Sequence, residues 1–255
     1  MRAWLRLAPV LAGLTGCMNT GGDPVKEFAA ALIVAPIAVP MLAANGWHEP
    51  GYLPPLPMAR SYPGDDVPLY RGVDKTPDML KADQDFIASV KQLGWSRAKG
   101  SEVSWRHGWI ALQAGDYTTA ARRMNQAWLL DPSNANTFDA LGVIAYRRDH
   151  DAARAEELFR QSLAAREPGH CANTEWGRML LAEERPAEAV AHLRLGTDES
   201  CRSLEARKML IIALDAAGDK RSACAEAKRY KFGQYGIDTL SKEAIRRTAD
   251  CAALQ

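Results

Sequence analysis

Five histidines, five cysteines and several paired carboxylates are the residues of this 255-residue chain whose types could do chemistry. His48, His107, His150, His170 and His192 fall in no HExxH pattern and near no Cys-x-x-Cys pair, so neither a metalloprotease nor a zinc ribbon is spelled out. His170-Cys171 is at most half of a metal site, because the later Cys201, Cys224 and Cys251 lack zinc spacing. The glycines of "GWIALQAG" (108–115) are not followed by lysine and serine, so no phosphate loop is built. No serine or cysteine nucleophile has a base at an interpretable spacing. Glu156-Glu157 and Glu183-Glu184 read as solvated helix faces. These residues point away from an enzyme, and they ask for no cofactor and no metal.

Cys17 is different, because it precedes any foldable segment. Arg2 and Arg6 form a positive region before a short apolar run, "LAPVLAGL" (7–14), which is an export signal too short to span a membrane. Leu14-Thr15-Gly16-Cys17 resembles the lipobox of bacterial lipoproteins. The resemblance implies a signal peptide at 1–16, cleavage before Cys17, diacylglycerol on its thiol and acylation of its amine. Two or three acyl chains anchor where one does not, each buried methylene contributing about 0.8 kcal/mol. Met18 stands where an aspartate would argue for inner-membrane retention, which favours an outer-membrane lipoprotein facing the periplasm. An ordinary cleaved signal with a chance cysteine is the alternative, and inner-membrane or surface placement stays open.

The elements that would position any site lie further along. Residues 17–75 read as a tether: "FAAALIVAPIAVPMLAA" (28–44) has 17 uncharged residues, the lower bound of a span, but Pro36 and Pro40 interrupt it. It suits the membrane surface or the folded body better. "EPGYLPPLPMARSYPGDDVP" (49–68) holds six prolines and reads as a stiff spacer, with a proline-recognition ligand as the lesser alternative. Thr76-Pro77-Asp78 opens an ordered region, 76–255, with an N-cap and a proline at the first helical position. Leu80, Ile87, Val90 and Leu93 then recur at helical spacing before Gly94. The formal charge is +1, and loss of Arg2 and Arg6 leaves 30 basic against 31 acidic residues, so no basic excess invites nucleic acid.

Beyond residue 100 the chain repeats every 34–35 residues. "GDY" (115–117), "DHD" (149–151), "ERP" (184–186) and "GDK" (218–220) fall in register. So do Gly108, Gly142, Gly177 and Ile211, then Ala120, Ala155, Ala189 and Ala223, and roughly Met124, Phe159, Leu193 and Ala227. A small residue on one helix opposite a bulky one on the next lets two antiparallel helices approach, which is the packing logic of a solenoid. Ile211 stands where glycine belongs, so the fourth pair is expected to sit slightly apart.

"SEVSWRHGWIALQAGDYTTAARRMNQAWLLDPSNA" (101–135) resembles a tetratricopeptide repeat, with Gly108, Gly115, Tyr117, Ala120, Ala127 and Pro132 at the marker positions. About 155 residues fit four such repeats, and 238–254 reads as the polar terminal helix that arrays need. The resemblance implies an all-α helical-hairpin solenoid whose first helices line a concave groove. Counted in that register, the groove carries Trp105, Trp109, Asp139, Tyr146, Arg147, Arg178, Lys208 and Asp215 as peptide-binding residues. The alternative for the tryptophans is packing against the helix at 77–93. The two-lysine, two-asparagine carboxylate clamp of chaperone-binding members is unmatched.

Four cysteines remain after export, and an oxidising compartment suggests two bridges in one of three connectivities. Cys171 and Cys201 bracket the third hairpin, and Cys224 lies on the helix against which the Cys251 helix should pack. The register therefore favours 171–201 and 224–251, with free thiols as the alternative. In architecture the chain is similar to pilus-assembly and pilotin-type tetratricopeptide lipoproteins. That implies a non-catalytic scaffold, membrane-bound through Cys17, with a protein or peptide partner in the periplasm. A self-associating envelope lipoprotein and an adaptor recruiting peptidoglycan enzymes are the other readings.

Overall fold

A computed structural model describes residues 53–57, 59–199, 201–230, 232 and 238–251. The expected signal peptide at 1–16, Cys17 and the apolar stretch 28–44 lie outside the described residues. Those described are all helical: α1 (Pro77–Gln92), α2 (Arg97–Gln113), α3 (Tyr117–Leu130), α4 (Ala135–Arg147), α5 (Ala152–Ala164), α6 (Ala172–Ala182), α7 (Pro186–Gly196), α8 (Ser203–Ala216), α9 (Lys220–Arg229) and α10 (Thr239–Arg247). A single 3-10 turn, Pro68–Tyr70, precedes them.

The repeat register is visible in the turns. Gly115, His150, Glu184 and Gly218 each take a left-handed conformation between the first and second helix of a pair. Asp116, Asp151 and Asp219 then cap α3, α5 and α9 by accepting a backbone N–H three residues on, while α7 starts on Pro186 instead. The second turn is one residue longer than "DHD" suggests, because the left-handed position is His150.

Packing within pairs follows the small-opposite-large pattern. A Cβ on Gly108 would lie 2.8 Å from Met124, on Gly142 2.8 Å from Phe159, and on Gly177 2.6 Å from Leu193. A methyl there would force the facing side chain to shift. In the fourth pair the sizes are exchanged, with Ile211 fully buried and Ala227 in the same core cluster. α2 packs on α3, α4 on α5, α6 on α7 and α8 on α9, and α2, α4, α6 and α8 also touch in series.

Three features differ from the sequence reading. Along α1 the inward residues are Ala82, Asp83, Phe86 and Val90, whereas Leu80 and Leu93 are exposed. The stripe rotates because Asp83 faces inward to bind Lys75 at 2.5 Å and Tyr62 at 2.7 Å. Residues 59–75 are not a free spacer but are fastened to the helices. Asn125 of α3 accepts from Leu69 N–H and donates to Asp65 and Val67 carbonyls, Arg122 binds Asp65 at 2.7 Å, and Arg148 binds Asp66 at 3.4 Å. Lys75 stands 3.2 Å from the Tyr70 ring centre, a close cation–π contact. Finally, α10 packs chiefly on α8 rather than on α9. The cysteines pair as the register favours, Cys171 with Cys201 at a Cα separation of 5.3 Å and Cys224 with Cys251 at 5.5 Å.

Candidate functional site

The expected groove residues come from α2, α4, α6 and α8, but most are already buried by the chain itself. Trp105 is 3 % and Trp109 8 % exposed. Their rings are 6.3 Å apart, the His170 ring lies 6.0 Å from Trp105, and the Arg202 guanidinium stands 5.8 Å over Trp109. They share a core cluster with Cys171 and Cys201, and not the cluster of Phe86 and Val90, so they do not pack under α1. At this end the face is covered by the disulfide and its flanking residues.

Next along the face lies a buried ionic network. Glu175 of α6 meets Arg178 at 3.2 Å, Arg202 at 3.6 Å and Arg147 at 3.9 Å. Glu205 of α8 takes Arg178 at 2.6 Å and Arg202 at 3.3 Å. Burial pushes the Glu175 carboxyl up, but Arg178, Arg202 and Arg147 outweigh it and bring it down to about 2. Arg202 and Glu199 sit in the connection before α8, and Glu199 accepts from the backbone N–H groups of Asn173 and Thr174 at the start of α6. The α7–α8 connection thus caps one helix and neutralises another.

Asp139 is the exception in this charged region. Its Oδ2 accepts the Cys171 N–H at 3.2 Å, and its Oδ1 has no hydrogen-bond partner among the described residues. Burial first, then Glu175 and Glu199, push its carboxyl well above the usual range, favouring the neutral acid. A carboxylate in this setting does not serve as a groove contact.

Between α4 and α6 the face carries a small pocket. A cleft of about 290 Å³, adjoining solvent included, is floored by Val143, Phe159 and Met179 and edged by Tyr146, Arg147, Glu175, Arg178 and Ala182. Tyr146 donates to Glu183 at 2.8 Å, and burial together with Glu183 raises its phenol above the usual value. Of the eight expected groove residues, three line this cleft: Tyr146, Arg147 and Arg178. The last two, Lys208 and Asp215, are covered by α10, to whose Asp238 and Arg247 they bind at 2.7 Å and 2.9 Å.

Glu175, Arg202 and Glu205 were missed by sequence reasoning. The spacings Glu175–Arg178 and Arg202–Glu205 are visible as helical i, i+3 pairs, but their crossing between α6 and α8 is not. Cys171 is consumed by its disulfide, which removes the His170-Cys171 half-site. Among the described residues no group of three or more His, Cys, Asp or Glu could hold a metal ion, and no helix is long and apolar enough to cross a membrane. No protein-family model, curated protein or solved structure matches this chain.

Proposed function

We propose that this chain is a lipid-anchored scaffold of the bacterial cell envelope, built as a tetratricopeptide array, that receives a segment of a protein partner in the cleft between α4 and α6. The observation that carries the reading is that cleft: apolar at its floor, with Tyr146, Arg147 and Arg178 at its edge, on the face the repeat register assigns to binding. Tyrosine and arginine around an apolar floor are the side chains that dominate interface energies. The lipobox-like Leu14-Thr15-Gly16-Cys17 and the two cysteine pairs, suited to an oxidising compartment, support the envelope setting. The partner would belong to an assembly of the envelope or surface, such as a pilus, a secretin or an outer-membrane protein.

A photo-crosslinking residue placed at position 146 tests the site, with the exposed Arg160 on α5 as the control position. A defined crosslink from 146 that is absent from 160 supports the cleft. Equal crosslinking from both positions, or none from 146, moves the partner elsewhere. Cys17→Ser should abolish labelling by a palmitate analogue; retained labelling removes the anchor from the reading.

A further inference from the structure

We propose that α10 is a removable plug in the groove of the fourth hairpin, held by the Cys224–Cys251 bond, and that reducing this bond opens the groove to a partner helix with the charge pattern of α10. The proposal rests on the groove reading above and adds its regulation.

The position of α10 is the first support. In repeat register, Lys208 stands where Asp139 stands and Asp215 where Tyr146 stands, and Tyr146 lines the cleft. α10 binds both: its N-cap Asp238 takes Lys208 at 2.7 Å, and its last residue, Arg247, takes Asp215 at 2.9 Å. The chain's own C-terminal helix thus occupies the face that the other hairpins turn to the groove. The covered surface is continuous with the cleft, because Arg178 bonds Glu205, which lies one turn before Lys208 on α8.

The second support is how weakly α10 is held without its covalent link. The residues it buries are Ser241, Ala244 and Arg247, while its Ile245 is 38 % exposed. A nine-residue helix has little stability of its own. Only Ala244 and Leu240 carry it into the core cluster, and its remaining fastenings are polar: Lys220 binds the Arg247 carbonyl and, at 2.9 Å, Asp250. These are exchangeable contacts that a competing helix could reproduce. Removing α10 would free Lys208 and Asp215, a cation and an anion two turns apart on α8.

The third support is a difference between the two disulfides. Cys171 and Cys201 are each 1 % exposed inside the main core, whereas Cys251 lies partly exposed beyond the end of α10. Thiolate attack needs access, so a dithiol reductant reaches the second bond first. The step balances as thiol–disulfide exchange. The dithiol supplies two electrons and two protons, the Cys224–Cys251 bond breaks to two thiols, and the reductant leaves as a disulfide.

The test uses a fluorescent peptide of residues 238–251 with Cys251→Ser, titrated by anisotropy into three full-length proteins. These are the oxidised wild type, wild type reduced until mass spectrometry counts two more free thiols than in the oxidised protein, and Cys224→Ser/Cys251→Ser. The peptide should bind the two opened proteins saturably and the oxidised one at least tenfold more weakly. Hydrogen exchange across 239–247 should accelerate at least tenfold on opening. Lys208→Glu in the opened protein should lose the peptide, and a peptide carrying Asp238→Lys should regain it, which shows the variant is folded. Unchanged exchange across α10, equal binding to oxidised and opened protein, or no binding to either opened form overturns the proposal. Crosslinking from position 146 is read separately, so failure here leaves the cleft standing and failure there leaves the plug standing.

Discussion

Replacing Glu175 by glutamine removes the charge that holds three arginines together, and the cost can be worked out from its titration. The folded carboxyl is held at about 2 against an ordinary 4.5. At 1.36 kcal/mol per unit, that difference corresponds to roughly 3 kcal/mol favouring the charged form in the folded state. The side chain is 4 % exposed, so solvent screening removes little of it. A depressed carboxyl contributes stability that is fully present above its unfolded value and lost as pH falls towards its folded one. Glu175→Gln should therefore be about 3 kcal/mol less stable than wild type at pH 6–7, with the gap less than half that size by about pH 3. Urea unfolding of both proteins between pH 3 and 7 measures it. Asp139 works in the opposite direction: its raised carboxyl contributes most at low pH, and that contribution is lost as pH rises towards its folded value. It is present in both proteins, and losing Glu175 relieves it, which trims the gap at high pH. A gap that stays constant across pH would mean the loss is steric. A gap below about 0.5 kcal/mol would mean the network adds nothing beyond the cost of burying it.

Gly142→Ala brings a methyl to 2.8–3.1 Å from the buried Phe159 ring. It should cost about 1–2 kcal/mol after the helix-propensity gain, and Phe159→Leu in the same chain should recover part of that in a double-mutant cycle. Cys171→Ala/Cys201→Ala opens a loop of sequence separation 30, and the chain-entropy estimate puts its loss near 3.7 kcal/mol in denaturant unfolding. A loss below about 1 kcal/mol would show that the loop is constrained without the bond. Asn125→Ala strips three hydrogen bonds from the segment at 65–69 and should cost roughly 2–3 kcal/mol. It should also admit limited proteolysis between 59 and 75; a protease-resistant variant would show that Lys75, Tyr62 and Asp83 suffice to hold the segment.

The helical pairing was legible because it is written in a local code. Gly142 opposite Phe159 and Gly177 opposite Leu193 meet at fixed sequence offsets, so periodicity reports the contact. The Cys171–Cys201 pair was legible for the same reason, since the hairpin brings those ends together, whereas Cys224 and Cys251 pair although α10 packs chiefly on α8 and not on α9. What stayed hidden depends on long-range docking. Asn125 on α3 carries no mark showing that it would bind the backbone of Asp65 and Val67, nor does Lys208 reveal that Asp238 would cover it. Helical spacing says which positions share a face, but a face says nothing about what lies against it. Trp105 and Trp109 are buried, with His170 of the α5–α6 connection beside one and Arg202 of the α7–α8 connection over the other, while Tyr146 lines the cleft.

The exchanged sizes in the fourth pair limit how this chain could have been assembled or could be recombined. In the first three hairpins a first helix with glycine demands a second helix with methionine, phenylalanine or leucine. The fourth obeys the opposite rule, with isoleucine on the first helix and alanine on the second. Joining α6 to α9 would set Gly177 against Ala227 and leave a void, and joining α8 to α7 would drive Ile211 into Leu193. Viable crossovers must therefore fall between hairpins, at the α3–α4, α5–α6 or α7–α8 connections. The Cys171–Cys201 bond removes the last of these, because it staples the start of the third hairpin to the start of the fourth. Hairpins three and four must therefore move as one block in any recombination, and a duplication that split them would strand two thiols in the core.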